Sequence, residues 1–170
     1  MATIDPEFKK LIDALTEQER DDLENSIREN GFNPAFPIIL WKGHDVVVDG
    51  HNRYEISQKL GIEPTFIEQE FENKEAVIEW MIKAQLARRN LTPEQLSYYR
   101  GLKYNSMKSS HGGSSCKSCN SKTNENLAKE FGVSARTISN DGKFNEAVDK
   151  ICKVCDLNKQ DLLGKFKKTD

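Results

Sequence analysis

The residues of this chain best suited to chemistry lie in one short run, Asp49-Gly50-His51-Asn52-Arg53. Upstream of it, Val46, Val47 and Val48 read as a buried strand, because β-branched side chains fit a pleated, packed surface. From Asn52 the pattern turns helical: Tyr54, Ile56 and Leu60 are apolar, and Gly61 is placed as a C-cap. A strand that passes through glycine into a helix leaves backbone N–H groups without partners, and such groups attract anions. Arg53 adds a forked, permanent cation in the first helical turn, where the helix dipole mildly disfavours one. A negative partner would justify that placement, and phosphate is the natural one. On local chemistry alone the commoner case is plainer: a tight turn in which His51 and Asn52 merely cap the helix.

A second set of chemically useful residues lies between about 124 and 141. Asn124 to Phe131 reads as a short helix, Gly132-Val133 as a turn, and Ser134 to Asn140 as a second helix, which is the spacing of a helix-turn-helix. Leu127, Phe131, Val133 and Ile138 supply a buried face, Ala128 is small where the helices would cross, and Ser134 is an N-cap. Ser134, Ala135, Arg136, Thr137, Ser139 and Asn140 are then the residues expected at a major groove. The guanidinium suits guanine edges and the amide suits adenine. Lys122, Lys129 and Lys143 are expected phosphate contacts. Asp141-Gly142 interrupts the pattern, with Phe144 as the next apolar anchor and a separate helix expected from Phe144 to Ile151. An ordinary helical hairpin has the same local signature.

The four cysteines form two pairs, Cys116-x-x-Cys119 and Cys152-x-x-Cys155, at the ligand spacing of a four-thiolate zinc site. The first pair falls in a Ser/Gly-rich stretch and the second on or near a helix. The helices between them can also form a core without metal. Thiols are the expected state, zinc is not, and disulfides do not suit the expected compartment.

The elements that position these groups follow from the rest of the pattern. A length of 170 residues, 36% hydrophobic and 31% charged, fits one compact domain or two small ones. Thr16 and Glu19 form a capping box ahead of Leu23 and Ile27, and Gly31 closes that helix. Phe32 to Pro37 is a proline-fixed loop. Ile38 to Trp41 is a strand, Lys42 to Asp45 a hairpin turn into the valine strand, and Pro64 to Phe71 a third strand. Lys74 to Arg89 is helical. Thr92, Pro93 and Gln95 start another helix through Tyr98, Tyr99, Leu102 and Tyr104. Residues 106–122, rich in Gly, Ser and Lys, read as a flexible loop. Asn158 to Leu163 reads as a last short helix. The outcome is an α/β domain over 1–91 followed by an all-α domain over 92–170.

Charge divides with the elements. Residues 1–79 hold 8 Lys and Arg against 18 Asp and Glu, whereas residues 80–170 hold 17 against 9. A polyanion partner for the C-terminal part is implied. No apolar run reaches bilayer-spanning length and the N-terminus has no secretory pattern, so a cytoplasmic protein without membrane contact is expected. The last residues, Lys165 to Asp170, carry no dimerisation segment, and a longer native chain is an expectation.

Taken in order, Gly31-Phe32-Asn33-Pro34, then Asp49 to Ile56, then Ala84-Gln85-Leu86-Ala87-Arg88-Arg89-Asn90-Leu91-Thr92-Pro93, then the helix-turn-helix, resemble ParB-like proteins of the phage, plasmid and mobile-element type. The resemblance runs from about the first helix through residue 151. It implies a ParB/sulfiredoxin-like N-terminal domain that binds a nucleotide, CTP or ATP with magnesium, through Gly50, His51, Asn52, Arg53 and Arg88. It also implies a helix-turn-helix on a specific double-stranded DNA site, a nucleoid-associated partition or transcription-regulating role, and a homodimer. The chain departs from the family at set positions. The Gly-Glu-Arg-Arg box is Gly50-His51-Asn52-Arg53, Ala84 stands where an acidic residue is expected, and Ala87 stands where a glutamine is expected. CTPase or ATPase activity is correspondingly weakened as an expectation. The sulfiredoxin cysteine position holds His51, which removes that activity. The loop is also similar to the Asp-Gly-His-His-Arg loop of free-serine kinases, where Glu29 or Asp49 would serve as base. The second reading is therefore a nucleotide-dependent enzyme, a small-molecule kinase or an NTP hydrolase or nuclease. A small-molecule kinase has no need of a helix-turn-helix, which ranks it second.

Overall fold

The computed structural model describes residues 2–87, 91–110, 117–155, 157 and 159–163, without the side chains of 109, 110, 117–122, 160 and 161. The chain forms two compact units, Met1–Met81 and Ile82–Asp170.

In the first unit the hairpin turn at Gly43 and Asp45, both at positive φ, joins β1 (Ile38–Trp41) to β2 (Val46–Asp49) in antiparallel pairing. Leu40 sits opposite Val47, with an irregularity in the register between Ile39 and Leu40. A strand parallel to β1 needs a crossover, and α3 (His51–Leu60) provides it, so β3 (Phe66–Gln69) pairs on the far side of β1. Ile38, Leu40, Val47 and Tyr54 pack into one core with Ala2, Ile4 and Phe32 around them. α2 (Glu17–Asn30) opens on the expected capping box, in which Thr16 Oγ1 accepts from Glu19 N–H at 3.3 Å and Glu19 accepts from Thr16 N–H at 2.9 Å. α1 (Pro6–Lys10) was not expected: Asp5 caps it, Pro6 occupies the first helical position, and Phe8 is fully buried. Five residues with one apolar anchor show no periodicity to read.

The second unit is helical. α4 spans Lys74–Leu86, with Val77, Met81 and Ile82 buried. α5 (Pro93–Ser110) starts at the Thr92/Gln95 capping box and runs further than expected. The loop expected over 106–122 is corrected: α5 continues to Ser110 and α6 (Lys117–Phe131) begins at Lys117, which leaves only 111–116 outside the described residues. Composition suggested a loop because it registered the serines. It did not register that Tyr104 and Met107 extend the apolar face of α5 into a core with Leu127, Ala128 and Ile138.

α7 (Ala135–Cys155) corrects a second expectation, since it passes through Asp141-Gly142 as one 21-residue helix. The interruption expected there is instead the contact face with α5. Ile138, Asp141, Gly142, Asn145 and Val148 are all buried. Gly101 and Gly142 let the two backbones approach closely, because a β-carbon on Gly142 would fall 2.6 Å from the Tyr104 ring. Polar groups along this seam are paired, apart from the buried Asn145 Nδ2. Asp141 accepts from Arg100 Nε at 2.7 Å and Ser97 Oγ at 2.5 Å, and Asn105 Nδ2 donates to the Gly142 carbonyl and to Asn145 Oδ1, each at 3.0 Å. α8 (Lys159–Leu163) places Leu163 against Tyr98, Tyr99 and Val148.

Candidate functional site

Gly50 ends β2 and caps α3 in the left-handed region, at φ +88°. A β-carbon there would meet an Arg53 guanidinium nitrogen at 3.0 Å and the Ile38 side chain at 3.2 Å, so the turn requires glycine on two counts. No side chain caps α3, which sets aside the plain reading in which His51 and Asn52 do so. Arg53 folds back across Gly50. One terminal nitrogen, Nη2, donates to the Pro37 carbonyl and to Asp49 Oδ2, both at 3.3 Å, while Nε is buried without a partner. Both contacts are at the long end of hydrogen-bonding range, so the guanidinium retains donor capacity.

His51 is 2% exposed, and neither ring nitrogen has a hydrogen-bond partner. Burial pushes its imidazole down to about 4; Asp49 and Glu55 oppose that shift and Lys9 adds to it. The ring is therefore neutral at pH 7. Asn52 is half-buried. Gly50, His51, Asn52 and Arg53 thus come together at one helix start, whereas Arg88 lies outside the described residues. The unpartnered Nε of Arg53 and the single N–H of the neutral His51 ring are donors of the kind that suit a phosphate group. No acidic cluster able to hold a metal ion occurs among the described residues.

The other expected site is carried by the turn between α6 and α7. Gly132 adopts φ +65° and the Val133 N–H donates back to the Ala128 carbonyl at 3.0 Å, which closes α6 in the manner of a Schellman turn. Val133 packs with Ala128 in the same cluster. Ser134 Oγ then accepts from the Thr137 N–H at 3.0 Å and caps α7, as its position predicts. Arg136, Asn140 and Lys143 are exposed, as are Lys129 and Ser134, while Ala135, Thr137 and Ser139 are half-buried. Spacings of four and three residues put Arg136, Asn140 and Lys143 on one stripe of α7. Lys122 belongs to α6, but its side chain lies outside the described residues. Of the cysteines, Cys116 and the Cys119 side chain also lie outside them; Cys152 is half-buried and Cys155 exposed near the end of α7.

Sequence reasoning missed the buried ionic groups. Glu24 is bound by Arg28 at 2.6 Å and Lys59 at 2.7 Å, and Lys103, only 4% exposed, is bound by Glu130 at 2.6 Å. The approach of α5 to α7 did carry a signal, Gly101, an isolated glycine inside a helical pattern that lies against Asp141. None of the described helices is long and apolar enough to cross a membrane.

This architecture is a ParB-like fold. No family model matches the chain and no curated protein matches it, so the likeness rests on solved structures. A Pnob8-like ParB-N domain is similar over 90% of this chain and 65% of that one, with a TM-score of 0.57 and 18% identity. A pNOB8-like ParB N-domain is similar over 65% of this chain and 40% of that one, with a TM-score of 0.51 and 25% identity. The chain therefore spans less than two thirds of either structure's length. Two structures of the C-terminally truncated chromosome-partitioning protein ParB from Caulobacter crescentus overlay less well. The one complexed with CTP-γ-S has a TM-score of 0.43 at 21% identity over 92% of this chain and 82% of that one. The one complexed to the centromeric parS site has a TM-score of 0.47 at 18% identity over 93% of this chain and 76% of that one.

Proposed function

We propose that the protein is a sequence-specific double-stranded DNA-binding protein of the ParB-like kind, acting in partition or transcription control of a mobile element. The observation that carries the reading is the exposed stripe Arg136, Asn140 and Lys143, set directly after a tight turn and a Ser134 cap. α6 and α7 then act as a helix-turn-helix, with the start of α7 in the major groove. Arg136 and Asn140 carry the bidentate chemistry that distinguishes guanine and adenine edges, and Ser139 can add a further hydrogen bond. Lys129 and Lys143 neutralise phosphates and make affinity fall with salt. Ala135, packed on the core, and the half-buried Thr137, hydrogen-bonded to Ser134, set the height of the helix rather than reading bases.

The Asp49–Arg53 loop is read as a nucleotide phosphate site, in which the α3 N-terminus, Gly50 and Arg53 hold the phosphate and Asn52 lines it. The residues present fit a phosphate, and the departures from the family boxes at Ala84 and Ala87 favour nucleotide-dependent regulation over turnover. Calorimetric titration with CTP, ATP and ADP, with and without magnesium, tests the loop; binding should appear and vanish in Arg53→Ala. An electrophoretic shift against DNA flanking the gene tests the DNA reading. No retardation at low salt for any fragment would refute it.

A further inference from the structure

The sheet of the first unit is closed on one edge and open on the other. Beyond β2 the start of the chain covers the edge: Thr3 N–H donates to the Asp45 carbonyl at 2.8 Å, and the Thr3 carbonyl accepts from Val47 N–H at 2.9 Å. β3 is the last strand in the order β2-β1-β3, and among the described residues nothing pairs on its outer side. Its peptide groups alternate in direction. Ile38 N–H donates to the Thr65 carbonyl and Lys42 N–H to the Gln69 carbonyl, at 2.8 and 2.9 Å. Thr65, Ile67 and Gln69 thus turn their backbone to β1, and the N–H and C=O groups of Phe66 and Glu68 point away from the sheet.

Of the devices that blunt a sheet edge, β3 lacks lysine, proline and a bulge. Phe66 and Ile67 are 39% and 53% exposed. Between Gly61 and Asn73 stand Glu63, Glu68, Glu70 and Glu72, all exposed, and no Lys or Arg. Lys42 pairs with Glu70 only. The edge therefore repels acidic arrivals and admits basic ones.

We propose that the outer edge of β3 is the docking site for a basic, extended segment of a partner protein, which joins the sheet as a further strand. Phe66 and Glu68 exchange main-chain hydrogen bonds with it, and its side chains fall alternately on the two faces of the sheet. On the α3 face, the rings of Phe66 and Tyr54 stand 6.1 Å apart between centroids and line a cavity of about 350 Å³ together with Ile62, Glu63 and Pro64. A long cationic side chain suits that cavity, with its stem on the rings and its charge at Glu63. Ile67 offers an apolar contact on the other face. Charge argues against a second copy of this chain, because pairing edge to edge would bring these glutamates against their like. It argues equally against nucleic acid. The site lies wholly within the first unit and does not depend on the DNA-binding reading.

Random short peptides displayed on phage and selected against the full chain should converge on alternating sequences rich in Lys and Arg. Amide hydrogen exchange of the full chain, followed by NMR, then reads the edge itself. Without peptide, the Phe66 and Glu68 amides should exchange quickly and the Ile67 amide slowly; a selected peptide should slow the first two. Glu68→Pro removes an outward N–H and spares the bonds to β1, so the fold should hold while the peptide binds about tenfold more weakly, the loss of one main-chain hydrogen bond. Glu68→Gln keeps that N–H and should weaken binding less, by an amount that disappears at high salt. Convergence on acidic or uncharged peptides, or no convergence, would overturn the proposal. So would a peptide that leaves the Phe66 and Glu68 amides unchanged, or one that Glu68→Pro binds as well as the native chain does. Slow exchange of both amides in the free protein would show the edge already covered, and would overturn it too.

Discussion

Gly101 lies so close to Asp141 that a β-carbon on it would fall 2.0 Å from the Asp141 carbonyl oxygen. The obstacle is backbone, which cannot rotate away, so Gly101→Ala must push α5 and α7 apart. Overpacking of this kind costs typically about 1–3 kcal/mol, and a backbone obstacle belongs at the upper end. Gly142→Ala meets the edge of the Tyr104 ring instead, a side chain rather than backbone; both glycines are helical and both variants regain roughly 1 kcal/mol of propensity, so the obstacle sets the difference. Urea unfolding should rank Gly101→Ala as clearly the more damaging.

Asp141 and Arg100 form an ion pair at 2.7 Å with side chains only 7% and 12% exposed. Replacing Asp141 with Ala leaves a nearly buried guanidinium without its counter-charge, at about 3–5 kcal/mol. Joint replacement by Leu at 141 and Met at 100 should be far milder, because neither charge then remains to be desolvated. A thermal melt of the single and double variants checks the order. Equal losses in both would mean that shape, not charge, sets this seam.

His51 gives stability a pH dependence of known sign. Its folded value of about 4 lies below the ordinary 6.5 of an imidazole. Above pH 6.5 the ring is neutral in both states and contributes no slope. Between 6.5 and 4 the unfolded chain binds a proton that the folded chain refuses, so stability falls as pH drops, by on the order of 3 kcal/mol in all. Below about 4 this contribution levels off. Denaturant midpoints from pH 4 to 7.5 should show the slope, and His51→Leu should flatten it.

Ser134→Ala removes the hydroxyl that accepts from the Thr137 N–H. The expected loss is about 1 kcal/mol, within the range of roughly 0.5–2 found for N-caps. Ser134→Asp should retain most of the stability, since a carboxylate caps and suits the helix dipole. Chemical denaturation of both variants distinguishes a cap from a mere surface serine.

On DNA, Arg136→Ala and Lys143→Ala should differ in kind. Loss of a base contact weakens binding to the selected site by about 1–3 kcal/mol and relaxes sequence choice, whereas loss of a phosphate contact weakens all binding and lowers the salt slope by about one. Fluorescence anisotropy on specific and random duplexes, across a salt series, separates the two. Equal losses for Arg136→Ala on both duplexes would move that residue to a phosphate.

What was legible in the sequence was local. The capping boxes at Thr16/Glu19 and Thr92/Gln95, the cap at Ser134, the turn at Gly132 and the strand–glycine–helix passage at Gly50 each depend on residues within four positions of one another. The burial of Leu127, Val47 and Ile138 follows from the same short-range patterns. Long-range contact decided the rest. The Asp141-Gly142 step read as a break because, on local propensity, a glycine weakens a helix. It became the tightest point of α7 only because Gly101, far away in sequence, leaves room for the Asp141 carbonyl. The same holds for Ser106 to Ser110, helical through the packing of Met107, and for Arg53, whose aim is set by the Pro37 carbonyl as well as its neighbour Asp49. Short-range hydrogen bonds can be read from residue order, but close approach between backbones depends on the space left by a partner that only the folded chain brings near.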